Sequence, residues 1–294
     1  MEKKYSIFHL EGGLGKHVAA TAVAQCIKNN YPDRELIIVC GYPELFLNLS
    51  FVDRVYRIGM TPYFYDDYIK DKDSLIFKHE PYFTTDHIHK KLPLIVNWCN
   101  LFGLKYNGEL PSLKFNHRHI EIAQQKWSRE RPIMVIQTNG GPLNEQPFPE
   151  SWTRDIPKNI AQTIVNAFAP HFHIIQICRN QSNILQNVEP ITEEMSNMDL
   201  FSLLLFSQKR LLIDSCLQHA AAALQLPSTV LWIGTSPQIF GYNIHNNIVA
   251  QLPSKMTLPD SYLFDFSFNG VTHECPVFEN PIFDINIIAD VLKK

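Results

Sequence analysis

Apolar residues fall in short blocks along the chain, and the blocks alternate between two spacings. Near the N-terminus the run at 5–10 (YSIFHL) is dense enough for a buried strand, and it empties into a glycine turn. Apolar positions then recur at 18, 19, 22, 23, 26 and 27, which predicts a helix over 16–29. The run DRELIIVC (33–40) reads as a second buried strand, broken by Tyr42-Pro43, with a short helix around Glu44-Leu45-Phe46. Runs at 52–59 and 73–80 read as further strands, the first at a sheet edge, and 86–102 as a helix stopped by Gly103. A polar, helical stretch at 116–131 separates this series from a second one.

The second series begins with a strand at 131–141 that ends in Thr138-Asn139-Gly140-Gly141. A helix at 157–168, a strand at 172–178, a helix at 198–208 and a strand at 210–215 follow. Next come a helix from Cys216, a strand at 228–234 and a last helix in DINIIADVLKK. Strands separated by helices require crossover connections and therefore parallel sheets. The expected organisation is two β-α-β domains, 1–126 and 127–278, with a C-terminal helix in 279–294 that could pack back on the first domain. No internal repeat or low-complexity segment interrupts the pattern.

Composition narrows the class. With 294 residues, 45% of them hydrophobic, the chain can fill two medium-sized cores. A net charge of −3 excludes a generally basic nucleic-acid-binding protein. Up to Glu130 there are 17 Lys and Arg against 15 Asp and Glu, and after it 9 against 14. The first part would therefore suit an anionic ligand or acceptor. The six cysteines (26, 40, 99, 178, 216 and 275) have no metal or redox spacing and read as reduced thiols of a cytoplasmic protein. The sequence has neither the apolar core of a signal peptide nor an 18-residue apolar span, so stable membrane insertion is not expected.

The glycine turn, Glu11-Gly12-Gly13-Leu14-Gly15-Lys16-His17, raises the question of chemistry. A P-loop needs G-x-x-x-x-G-K-[ST], but Leu10 stands at the first glycine and His17 at the metal-binding hydroxyl. The partition-ATPase variant fails at Glu11 and again at His17, because imidazole is a poor ligand for Mg²⁺. A metal-free phosphate reading remains. Three glycines permit a tight turn, the following helix offers free N–H groups, and Lys16 or His17 adds charge.

The most informative stretch is LLIDSCLQHAAAALQLPSTVLWIGTSPQIFGY (211–242). An apolar strand delivers Asp214 and Ser215 to its carboxyl end, and a small-residue helix carrying Cys216, Gln218 and His219 starts at once. Another strand ends in Gly234-Thr235-Ser236. Open α/β sheets bind ligands at such strand ends.

This segment resembles the C-terminal signature of family-nine glycosyltransferases, the ADP-heptose:lipopolysaccharide heptosyltransferases. Asp214, Ser215, His219, Ala222, Ala223, Leu224, Pro227 and Gly234-Thr235 follow its order, with Cys216 where the signature has glycine. Weaker similarity covers 133–165, where Arg154 stands at a basic phosphate contact, and the N-terminal turn, where Lys16 stands at the family's catalytic Asp. The resemblance implies an α/β fold of the GT-B type, two Rossmann-like domains facing each other across a cleft. It implies a metal-independent, inverting transfer of a sugar from a nucleotide-diphosphate donor, with no cofactor beyond that co-substrate. The acceptor is open: a glycan, a small molecule or a modified nucleic-acid base.

Under this reading Thr138, Asn139, Gly140, Arg154, Asp214, Ser215, Cys216, Gln218, His219, Gly234, Thr235 and Ser236 would hold the donor, with Gly12, Gly13 and Gly15 closing over it. Glu11 and His17 are the first candidates for the base, with Lys16 beside them. Each residue also has a plainer reading: Asp214 as a helix cap, His219 as a core histidine, Lys16 as a solvated lysine. The aromatic run TPYFYDDY (61–68) could line an acceptor pocket or pack as a lid, and HIHKK (87–91) reads as a solvated face. In HEPYF (79–83), His79 and Glu80 would point to opposite faces of a strand end, which argues against a metal pair. Two alternatives stay open: a P-loop-like ATPase or kinase, and a protein that binds a nucleotide-sugar without turning it over.

Overall fold

In a computed structural model, residues 3–140, 153–178, 183–191, 193, 195–252 and 281–293 are described. They divide into two units, Met1–Asn116 and His117–Lys294.

In the first unit, β1 (Lys4–Leu10), β2 (Glu35–Cys40), β3 (Arg54–Arg57) and β4 (Asp73–Phe77) form a parallel sheet in the order β3-β2-β1-β4. The alternation in β1 sends Tyr5 and Ile7 to one face and Phe8 to the other, and both faces are covered. On one face α1 (Leu14–Asn30) lies along β1 and β2 and meets α4 (Leu94–Leu101), whose Trp98 packs edge-on against Phe8. Alanines at 19, 20, 22 and 24 let α1 approach the sheet closely. On the other face α2 (Phe64–Tyr68) covers Tyr5 with Tyr68.

That helix splits the aromatic run. Phe64 and Tyr68 turn inward, while Tyr63 and Tyr65 stay exposed. The helix expected at 86–102 is two helices, α3 (Thr85–Ile88) and α4. Lys90 adopts φ 52° and Pro93 precedes the first turn of α4, so the helical bonds stop between them. His87, expected on a solvated face, is buried, and desolvation pushes its imidazole down to about 4.

In the second unit the sheet order is β10-β9-β8-β5-β6-β7, again parallel. Its strands are β5 (Ile133–Gln137), β6 (His173–Ile177), β7 (Glu189–Ile191), β8 (Ser207–Ile213), β9 (Thr229–Trp232) and β10 (Asn246–Val249). The short β7 and β10 were not predicted, since three or four edge residues carry too little periodicity to be recognised. Crossover helices are α6 (Lys158–Phe168), α7 (Asn197–Phe206) and α8 (Cys216–Ala223), with a short α9 (Pro237–Phe240) after β9.

The polar stretch after residue 116 forms α5 (His117–Lys126), which packs on α7, and the Trp127 indole donates to Ser202 Oγ at 3.0 Å. It therefore belongs with the second unit, one helix earlier than the expected boundary. The last helix, α10 (Ile285–Lys293), buries Ile288 and Leu292 in one core with Met134, Ile136, Ile160 and Ile164. The expectation that it returns to the first domain is replaced: its apolar face completes the second unit's own core. The five described cysteines are free thiols, and Cys275 lies outside the described residues.

Candidate functional site

Both sheets reverse direction of growth once. In the second unit the chain runs β5, β6, β7 to one side and then β8, β9, β10 to the other. The reversal falls between β5 and β8, the position at which open α/β sheets form a ligand crevice at the strands' carboxyl ends. Thr138-Asn139-Gly140 leaves β5 at this point and Asp214-Ser215-Cys216 leaves β8. The two loops lie close together: a Cβ added to Gly140 would lie 3.6 Å from Ser215 Oγ.

One segment ties the crevice together. The Asp155 carboxylate is buried and accepts from the Gly140 N–H at 3.0 Å and from Asn139 Nδ2 at 3.1 Å. Two residues earlier, Thr153 O accepts from the Gly234 N–H at 2.7 Å. A Cβ on Gly234 would stand 2.9 Å from Thr153 Cβ, so glycine is required by this close approach. Gly234→Ala is expected to lower the thermal midpoint by several degrees, because overpacking costs about 1–3 kcal/mol. A midpoint within one degree of wild type would show that the segment yields freely.

Burial pushes the Asp214 carboxyl up, opposed by the Thr235 hydroxyl and the Arg154 charge. Arg154 also acts on Cys216, whose thiol burial pushes up into a neutral form. Asp214 does not cap α8; Ser215 occupies the N-cap position in extended conformation and makes no side-chain cap bond. The first-turn amides of α8 and the guanidinium of Arg154 thus supply positive potential at the strand ends.

Three expected donor residues have other roles in the structure. His219 is buried, with Nδ1 at 2.8 Å from the Tyr242 hydroxyl and Nε2 at 3.1 Å from Gln218 Nε2. Desolvation, reinforced by His245, pushes it down to about 3. Gln218 is fully buried and donates to Phe240 O at 3.0 Å. The two side chains fasten α8 to the loop after α9. Ser236 caps α9, accepting from the Gln238 N–H at 3.2 Å. Gly141 lies outside the described residues.

In the first unit the reversal falls between β1 and β4, since β2 and β3 lie on the far side of β1. The glycine turn leaves β1 there, and Glu80 follows β4. Lys16 is not solvated: its side chain is 6% exposed, it forms an ion pair with Glu80, and its Nζ lies 5.3 Å from the Trp98 ring and 5.5 Å from that of Tyr82. Gly12 has φ 101°, and a Cβ there would sit 3.1 Å from Lys16 Cδ. The turn is therefore folded around the lysine. A P-loop lysine must reach outward to phosphate, so the hydrolase reading fails on geometry as well as on motif.

His17 is fully buried. Its Nδ1 donates to Gly13 O at 2.9 Å, its Nε2 accepts from the Gly41 N–H at 3.2 Å, and Tyr42 packs edge-on at 4.8 Å. Burial lowers its pKa, and both nitrogens are occupied, so as placed it holds the glycine turn to the end of β2 and has no lone pair for a substrate proton. Glu11 is exposed and 3.6 Å from His9. Gly13 caps α1 and Gly15 lies in its first turn. The sequence reading passed over Asp155 and weighed Glu80 only as half of a metal pair with His79; the structure gives each a buried partner, Asp155 with Gly140 and Asn139, Glu80 with Lys16. The available signals were an acid just before the Pro157 that opens α6, and an acid just after an apolar strand.

Among the described residues no group of three or more His, Cys, Asp or Glu could hold a metal, and no helix is long and apolar enough to cross a membrane. The chain matches no protein-family model and no curated protein sequence. Solved structures do match. A family-nine glycosyltransferase from Veillonella parvula aligns with TM-score 0.65 at 11% identity, over 84% of this chain and 86% of that one. ADP-heptose lipopolysaccharide heptosyltransferase II of Escherichia coli aligns with TM-score 0.64 at 12% identity, over 85% and 91%. The iron-containing dodecameric glycosyltransferase TibC from enterotoxigenic E. coli aligns with TM-score 0.58 at 14% identity, over 83% of this chain and 63% of that one. The chain thus has the α/β GT-B fold of heptosyltransferase-type proteins.

Proposed function

We propose that the protein is a glycosyltransferase that moves a sugar from a nucleotide-diphosphate donor to a hydroxyl acceptor. The observation that carries this reading is the set of groups gathered at the β5/β8 reversal. There a helix N-terminus, Arg154, Asp214 and two glycine-containing loops converge, in a chain with the heptosyltransferase fold. The donor's diphosphate would lie on the α8 amides and Arg154, which stabilise the charge as the nucleoside diphosphate leaves. Asp214, Thr138 and Thr235 would hold the sugar side. These groups offset the leaving charge without calling on a metal, and the reaction inverts the anomeric centre. The acceptor would be a glycan, a small molecule or a hydroxylated nucleic-acid base.

The test is incubation of the pure protein with a mixed nucleotide-sugar pool, followed by mass spectrometry. One donor should be cleaved to its nucleoside diphosphate, at the same rate with and without EDTA. Arg154→Ala should weaken donor binding about tenfold or more, as expected for loss of a charge-assisted contact. Calorimetry showing no binding of any nucleoside diphosphate would overturn the proposal. Retention of a donor without cleavage would make the chain a binding protein, and Mg²⁺-dependent ATP hydrolysis lost in Lys16→Ala would revive the hydrolase alternative.

A further inference from the structure

The first unit buries two thiols that the proposed function does not use. Cys26 lies in α1 and Cys99 in α4; these helices pack together, and both side chains are fully buried. The Cys99 S–H donates to the Cys26 sulfur. The Cys26 S–H is directed in turn at Lys105 O, 3.4 Å away. Asn30, one helical turn beyond Cys26, points Nδ2 at the same sulfur from 3.6 Å. Cys26 thus accepts from two groups, and Cys99 is the donor of the pair.

The cover over this pair is thin. Residues 104–116 form neither helix nor strand, and asparagine side chains of α1 hold them down. Asn30 Oδ1 accepts from the Lys105 N–H at 2.9 Å, Asn30 Nδ2 donates to Lys105 O at 3.0 Å, and Asn29 Nδ2 donates to Glu109 at 2.9 Å. Lys105 touches the sulfur with its carbonyl and is itself exposed, so one stretch of loop separates the thiol from solvent. Hydrogen bonds given to a sulfur favour its ionised, nucleophilic form. The bond from Cys99 draws Cys26 down against the opposing effect of burial, and the same bond pushes Cys99 up. The other ionisable groups acting on the pair are Tyr106 and Glu109.

We infer that Cys26 and Cys99 form a peroxide-oxidisable dithiol that closes into a disulfide, with Cys26 as the attacking sulfur and Cys99 as the resolving one. The site lies wholly within the first unit and is independent of the transferase reading. The co-reactant is a hydroperoxide small enough to pass the loop. The Cys26 sulfur attacks a peroxide oxygen, the O–O bond breaks, and the thiol proton leaves with the departing oxygen, as water when the reagent is hydrogen peroxide. The Cys99 sulfur then bonds to the Cys26 sulfur and displaces the sulfenic hydroxyl, which takes the Cys99 proton and leaves as water. Two thiols are oxidised and one peroxide is reduced. A disulfide needs its sulfurs about 2.05 Å apart. Thiols already in hydrogen-bond contact reach that separation by side-chain rotation and a small approach of α1 to α4.

The experiment treats the folded full chain, freed of reductant, with a small molar excess of hydrogen peroxide. Remaining thiols are then alkylated in denaturant, and the unreduced digest is analysed by mass spectrometry. The expected main product is a peptide linking Cys26 to Cys99, lighter by two hydrogens than the two thiol peptides together and separated again by dithiothreitol. Cys99→Ser, oxidised in the presence of dimedone, should carry the sulfenic-acid adduct on Cys26, whereas Cys26→Ser should carry none on Cys99.

The inference fails if both cysteines are still alkylated as thiols after peroxide treatment. It fails equally if Cys26 ends as a sulfinic acid without the linked peptide, or if the link forms only in denaturant. Adducts of equal yield on the two single variants would overturn the assignment of Cys26 as the attacking sulfur. The wild-type digest decides the main question without any variant, so a serine variant that does not fold leaves the test intact.

Discussion

Asp155→Ala should cost the second unit about 3 kcal/mol and weaken donor binding with it. Two donors face this one carboxylate, the Gly140 amide at 3.0 Å and Asn139 Nδ2 at 3.1 Å, and all three residues are buried. Truncation leaves both donors without an acceptor, and each orphaned buried group costs about 1–3 kcal/mol. The damage is local to the reversal between β5 and β8. Asn139 also accepts from Thr138 Oγ1, which in turn accepts from Gln176 Nε2, so the loss passes along a connected set of polar groups. Gly140, no longer held, loses its register against Ser215, and the proposed diphosphate seat loosens. Asp155→Asn keeps one acceptor but turns an amide toward a donor, so its loss should be intermediate. Urea denaturation measures the stabilities, and calorimetry with the cleaved donor's nucleoside diphosphate measures binding. An Asp155→Ala variant within 0.5 kcal/mol of wild type would show that water replaces the carboxylate, and the crevice would not depend on it.

The fold was legible because its information is local. Dense apolar runs such as IMVIQ and LLI, each emptying into glycine or small polar residues, mark central parallel strands wherever they occur. The place of Asp214 and Ser215 was legible for the same reason, since a strand that runs into them necessarily presents them at the sheet's carboxyl edge. What could not be read is pairing across distance. Lys16 and Glu80 are 64 positions apart, and nothing in GLGKH says that the lysine turns inward. A glycine before a lysine has the same spelling whether it makes room for a phosphate or for the lysine itself. Likewise His17 and His219 sit in helices as any polar residue would. Only the Gly41 amide and the Tyr242 hydroxyl, each more than twenty residues away, make them structural. The final helix misled because an amphipathic face does not name the surface it covers.

Acidification should destabilise both units well above the range in which carboxylates titrate, and the histidines set the sign. His219 in the second unit is pushed down to about 3 and His87 in the first to about 4, each chiefly by desolvation. In the unfolded chain both return to about 6.5, so below that pH the unfolded state binds protons that the folded state refuses. Stability is therefore full above about 6.5 and falls as the pH drops, by about 1.4 kcal/mol per pH unit for each histidine, until the folded value is reached. His17 and His245 are lowered as well and add to the same slope. Asp214 opposes it: a raised carboxyl stabilises the fold most below its ordinary value of 3.8 and loses that contribution as the pH rises through its folded value. Glu189, lowered mainly by its hydrogen bond to Arg129, adds its loss only below about 4.5. Between pH 7 and pH 5 the histidines therefore dominate, and the expected loss is about 2 kcal/mol from each of His87 and His219. Urea midpoints across this range should fall steeply in the wild type and less steeply in His219→Gln, whose amide carries no charge at any pH. Equal slopes would mean that His219 reaches solvent and gains its proton without unfolding, and the clamp between α8 and Tyr242 would then open at mild acidity.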